Sequence, residues 1–127
     1  MFARIAIMVL RVTVLFNLIT GIIFWTGNTG FPQIVHILLG ILAVLALWSL
    51  GILQGLRGGS FGLALGTFIV GFLLALVGLF QKNWLPEPSA NHWIIQVIHL
   101  VLGLAAIGLG EMVNGHLRRL KTKSSAA

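Results

Sequence analysis

The chain has 127 residues, 58% of them hydrophobic and only 8% charged, with eight Lys and Arg against two acids. A soluble domain of this size carries roughly 25% charge, so a water-facing surface cannot be covered and a soluble enzyme is excluded. The absence of cysteine excludes a disulfide scaffold and a thiolate metal site, and the absence of aspartate excludes an Asp-based triad or an Asp-held magnesium.

The basic residues stand at the ends of apolar runs instead of among aromatics on a polar face. That pattern argues against nucleic acid and for an integral membrane protein. A bilayer core of about 30 Å needs roughly 20 apolar residues in a helix, and four runs meet that length: 2–25, 32–53, 61–80 and 93–113. The first is too long for a cleaved leader, contains Arg11 and lacks a small-x-small cleavage site. It closes at Gly27-Asn28-Thr29-Gly30, and Pro32 stands in the first turn of the second run, where its missing N–H costs nothing. The second closes at the Gly58-Gly59-Ser60 turn, and the third at a stretch holding Pro86, Glu87 and Pro88. Lipid leaves no partner for free backbone groups and no period-2 alternation is present, so the runs are helices. The expected fold is all-α, a four-helix membrane bundle over residues 1–117, with a short disordered basic tail over 118–127 whose lysines meet anionic headgroups.

Seven of the eight cations fall in the N-terminal segment (Arg4, Arg11), the middle loop (Arg57) and the tail (Arg118, Arg119, Lys121, Lys123); Lys82 is the exception. The bias of Lys and Arg toward the cytoplasm places both termini there. The expected setting is a bacterial inner (plasma) membrane. Trp25, Trp84 and Trp93 mark an outer aromatic belt, while Trp48 lies deeper and toward the inner boundary.

A shift of 63 residues lays Gln33-Ile-Val-His36-Ile-Leu-Leu-Gly40 on Gln96-Val-Ile-His99-Leu-Val-Leu-Gly103. Ala43 and Ala106 coincide as well. Helices 2 and 4 both start at the outer face, so the repeat is parallel and the chain reads as two helical hairpins side by side. At about 1.5 Å per residue, His36 and His99 lie roughly 6–10 Å inside the outer boundary.

Two neutral imidazoles at one depth on two helices suit the axial positions of one haem iron. Gly40 and Gly103 follow each histidine by one turn on the same face, where a porphyrin plane needs small neighbours, and on helix 4 that face continues through Ala106 and Gly110. Gln33 and Gln96 stand one turn nearer the outer surface, placed with His92, Asn91 or Lys82 to meet haem propionates. The expected cofactor is one haem b near the outer side. Two other readings stand beside it: a pair of histidines bridging helices by hydrogen bonds, and a proton-relay or transport role. His92 is read chiefly as a wetted boundary residue. His116 has no matching histidine on helix 2, so a second, inner haem is not expected.

Arg11 and Glu111 fall in the inner leaflet. A buried ion pair between helices 1 and 4 is the first expectation. The alternatives are a proton path or quinone contact at Glu111, and an Arg11 that reaches the headgroups. Asn17 and Thr20 are read as packing.

Four helices with histidines paired on repeated Gln-x-x-His-x-x-Leu-Gly segments resemble the small four-helix membrane b-type cytochromes. Many of those hold two haems on four ligands, whereas only His36 and His99 map here. The resemblance implies electron transfer with a quinol, another redox protein or a small oxidant, as an electron-transfer protein or a subunit of a larger respiratory or photosynthetic complex rather than a stand-alone enzyme. The runner-up is a non-redox four-helix subunit or small transporter, as a monomer or a homodimer. Small multidrug transporters share the size but place an acid deep in helix 1, and none is there. No His-Glu-x-x-His or phosphate loop occurs.

Overall fold

The computed structural model describes residues 1–27, 30–85, 87 and 89–126. Among them there are four helices and no strand: α1 (Phe2–Trp25), α2 (Gln33–Leu56), α3 (Phe61–Trp84) and α4 (His92–Ala126). Each is long and apolar enough to cross a bilayer, and the first three, at 24 residues, are about 36 Å long. The chain is an all-helical, multi-pass membrane bundle. Its loop end carries the α1–α2 and α3–α4 connections; its terminal end carries both termini and the α2–α3 turn.

The helices outrun the apolar runs. α2 and α3 continue through Gln54 and through Gln81 and Lys82, which are good helix formers. Hydropathy marks the membrane boundary, whereas the backbone stops only at a breaker. The tail is the clearest difference: instead of a disordered end, α4 runs on to Ala126. Residues 116–126 contain neither Gly nor Pro, and cations at a helix C-terminus complement its dipole. Pro32 is the N-cap of α2 with φ −65°, one position before the first turn. Ser60 caps α3, its Oγ accepting from the Leu63 N–H at 3.4 Å. Gly58 turns the chain at φ +66°, a conformation that favours glycine. A Cβ on Gly59 would lie 2.6 Å from the Gln54 amide, so the Gly-Gly pair is required where the turn folds back on α2. Asn28, Thr29, Pro86, Pro88 and Ala127 lie outside the described residues, as do the expectations placed on them.

Around the bundle each helix touches its sequence neighbours, α1 closes on α4, and α2 meets α4 across the diagonal; α1 and α3 do not touch. The fully buried apolar core lies from the middle to the terminal end: Ile7 and Leu10 of α1, Leu47 and Leu50 of α2, Val113 and Leu117 of α4. Ala106 is buried, and a Cβ on Gly110 would run into Leu10, so this part of the small-residue face of α4 serves close packing against α1. Trp48 stacks on Phe68, ring centres 5.8 Å apart, and packs over Gly71 within the bundle.

Arg11 and Glu111 form a two-pronged ion pair, Nε donating to Oε1 at 2.6 Å and Nη2 to Oε2 at 2.9 Å. It is not a buried pair. The side chains are 52% and 41% exposed, because both extend along the outer rim of the α1–α4 seam. In a bilayer that rim faces lipid, where a lone charge is far more costly than a pair. Arg11→Leu is therefore expected to lower thermal stability in detergent or bicelles more than Arg11→Leu combined with Glu111→Leu. Strictly additive losses in that double-mutant cycle would deny the coupling.

Candidate functional site

The loop half of the bundle is built differently from the terminal half. Its centre holds polar side chains on three helices: Asn17 and Thr20 of α1, His36 of α2 and His99 of α4. The His36 and His99 rings face each other with centres 6.2 Å apart and planes inclined at 49°. The repeat thus brings its two histidines together across the bundle diagonal.

Each ring is positioned by a different neighbour. Thr20 Oγ1 donates to the Phe16 carbonyl at 2.9 Å, with the Asn17 carbonyl at 3.2 Å, and lies 2.7 Å from His36 Nδ1. Its one proton is directed at the backbone, which leaves the oxygen to accept from Nδ1–H. The neutral His36 ring then presents a bare Nε2 lone pair. Phe24 meets the same ring edge-on at 5.6 Å, and a Cβ on Gly21 would sit in ordinary contact with it, 3.6 Å from His36 Cε1. On the other side Gly78 of α3 lies against His99; a Cβ there would be 2.8 Å from His99 Cε1.

Two buried polar atoms at this level have no hydrogen-bond partner among the described residues, Asn17 Oδ1 and His99 Nδ1. Buried unpaired polar atoms are costly and uncommon. They mark a set that the chain's own groups leave incomplete. Trp48 Nε1 and the Gln54 amide are also unpaired, nearer the terminal end of α2.

The ring spacing bears on what the pair can hold. Two bonds of about 2.0–2.1 Å from imidazole to a first-row metal, plus about 1.2 Å from each nitrogen to its ring centre, separate trans rings by about 6.4 Å. The observed 6.2 Å lies close to that. No cluster of three or more His, Cys, Asp or Glu occurs among the described residues. Gly103 leaves open space beside α4, with nothing within 4 Å of a Cβ, and a Cβ on Gly40 would meet only Asn17 Nδ2 at 3.8 Å. The centre-to-centre spacing is close to that of two imidazoles on one metal, and Gly40 and Gly103 each leave room for at least a Cβ. A groove of about 460 Å³ runs along the α1–α2 face and includes Phe16, Thr20 and Val35.

The other residues singled out in the sequence take other places. Gln33 Oε1 accepts from Lys82 Nζ at 3.1 Å, joining α2 to α3 at the loop end, and Gln96 is half-buried on α4. His92 is buried, not a wetted boundary residue. Its Nδ1 is hydrogen-bonded to the Leu85 carbonyl and its Nε2 lies 3.0 Å from Glu87 Oε1, so both ring nitrogens tie α4 to the α3–α4 connection. Asn91 is exposed and His116 half-buried near the terminal end.

Sequence reasoning misses Gly78 and takes Thr20, polar enough to bond across the bundle, for packing, whereas it contacts His36. The signal available was the spacing of Asn17, Thr20 and Gly21, polar or small residues on one face of an otherwise apolar helix.

No family model, curated protein or solved structure matches this chain.

Proposed function

We propose that the protein is a membrane b-type cytochrome that binds one haem through Nε2 of His36 and His99 and relays electrons near the outer face of a bacterial inner membrane. The observation that carries this reading is the approach of the two repeated histidines to 6.2 Å. The bound haem would supply a one-electron couple at the iron. The chain's own contribution is positional. Thr20 fixes the tautomer and orientation of His36 as a ligand's outer partner does. Gly78 admits the His99 ring, and Phe24 lies edge-on to His36. Lys82 and Gln33, bonded to each other at the loop end, would be the groups to meet propionates. A quinol or a redox protein is the proposed partner, either directly or within a larger respiratory or photosynthetic complex.

The alternative, a non-redox four-helix subunit or small transporter, gives the histidines a helix-bridging or proton-handling role. It accounts for the Thr20–His36 contact. The absorption spectrum separates the two. Protein purified from haem-replete cells is expected to be red, with a Soret band, sharp reduced α and β bands, and one haem per chain by pyridine haemochrome assay. A colourless, fully helical preparation that takes up no added haemin would refute the cytochrome reading.

A further inference from the structure

A second concavity, at the terminal end of the bundle, gathers charge instead of apolar surface. It has a volume of about 360 Å³ and is lined by Arg4 of α1, Arg57 after α2, and Asn114, Leu117, Arg118 and Lys121 of α4. The general bias of cations toward the cytoplasm accounts for their lying at this end. It does not account for four of them, from three separate elements, closing around one hollow.

No carboxylate lines that hollow. Of the chain's two acids, Glu87 stands beside His92 at the loop end. Glu111, two turns before Arg118 on α4, is held by both of its oxygens to Arg11. The first turn of α1 has no acidic residue and no side-chain cap, so its backbone N–H groups and dipole add to the positive potential. Asn114, 5% exposed, brings an amide to the wall, and Leu117, 2% exposed, an apolar floor. A cationic rim, a polar wall and an apolar floor at the membrane boundary suit a phosphate attached to an acyl-chain amphiphile. Arginine forks hold phosphate oxygens in pairs, and a zwitterionic headgroup would bring its own ammonium into the same field.

We propose that this hollow binds the phosphate of an anionic phospholipid headgroup, taken from the leaflet that the terminal end faces. The site is independent of the histidines, and it stands whether or not the protein carries haem.

The test uses the full chain, purified and delipidated in a neutral detergent. Native mass spectrometry then compares dioleoylphosphatidylglycerol with dioleoylphosphatidylcholine. One phosphatidylglycerol should be retained per chain, at least about tenfold more tightly than phosphatidylcholine. Arg57→Ala and Arg118→Ala should each weaken retention about fivefold, the effect of one near-surface charge, with helical circular dichroism unchanged. Arg119→Ala is the control: Arg119 is exposed, adjacent in sequence and not part of the lining, and its removal should change retention less than twofold. Equal losses for Arg118→Ala and Arg119→Ala would reduce the effect to diffuse surface charge and overturn the proposal, as would equal retention of the two lipids. Displacement of the lipid by millimolar inorganic phosphate would assign the hollow to a free anion and overturn the lipid assignment.

Discussion

His36→Ala and His99→Ala are each expected to abolish the bis-imidazole haem spectrum while leaving the helical content intact. On the proposed reading each would supply one of the two ligating nitrogens, and the described residues offer no third ligand: His92 has both ring nitrogens engaged with Leu85 and Glu87, and His116 lies far along α4, near the other end of the bundle. The terminal-half core, from Ile7 to Leu117, does not include either histidine, so the fold survives their loss. Thr20→Val falls between. It removes the oxygen that accepts from His36 Nδ1–H but keeps the branched shape, and outer partners of this kind are worth about 10–100-fold in metal affinity. The haem should therefore still bind at saturating concentration and wash out at low concentration. His92→Ala and His116→Ala should keep nearly full haem content. Haem-to-protein ratios by pyridine haemochrome assay, with circular dichroism as the fold control, give the comparison. Equal haem content in all four histidine variants would remove His36 and His99 as ligands.

How much of this was legible in the sequence follows from the solvent. Lipid satisfies no backbone group, so a long apolar run has one structural outcome, and the four helices follow from composition and length. Their ends do not. Gln54, Gln81 and Lys82 are polar enough to end a hydropathy run yet helical enough to continue the backbone, and the basic tail is helical for the same reason. The Arg11–Glu111 pair was legible because two opposite charges in one leaflet of an apolar bundle have few other partners. Its exposure was not, because which way a pair faces depends on the rotation of both helices about their axes.

The histidine pair shows the same division. His36 and His99 are visible through the repeat, since one register carries both a rare Gln and a rare His. The groups that hold them come from α1 and α3, which share no such repeat. Only the packing angle decides that Thr20 meets His36 and Gly78 meets His99. The small-residue face of α4 was legible as a face but ambiguous in use. Gly103 opens on free space, Ala106 is buried, and Gly110 is taken up by the close approach of α1.

Gly78 is where that unreadable layer can be tested, because its effects on fold and on cofactor are expected to part. In Gly78→Ala the new Cβ would sit 2.8 Å from His99 Cε1, closer than atoms in contact allow, so the imidazole must move. His99 Nδ1 has no hydrogen bond to hold the ring in place, which makes that movement inexpensive. The same change gains about 0.5–1 kcal/mol of helix stability by removing a mid-helix glycine. Overpacking ordinarily costs about 1–3 kcal/mol, and here much of it is relieved by the ring swinging aside. The net shift in thermal stability should be small, while haem affinity falls at least about tenfold, the scale set by misplacing a ligand's support. Gly103→Ala is the counterpart: its Cβ meets nothing within 4 Å, so it should raise helix stability slightly, and any loss of haem it causes measures how closely the cofactor lies against α4. Titration of haemin into both variants, beside thermal unfolding followed at 222 nm, gives the two readouts. A Gly78→Ala protein that binds haem as tightly as the unsubstituted chain would show that His99 does not ligate from the position it holds against α3.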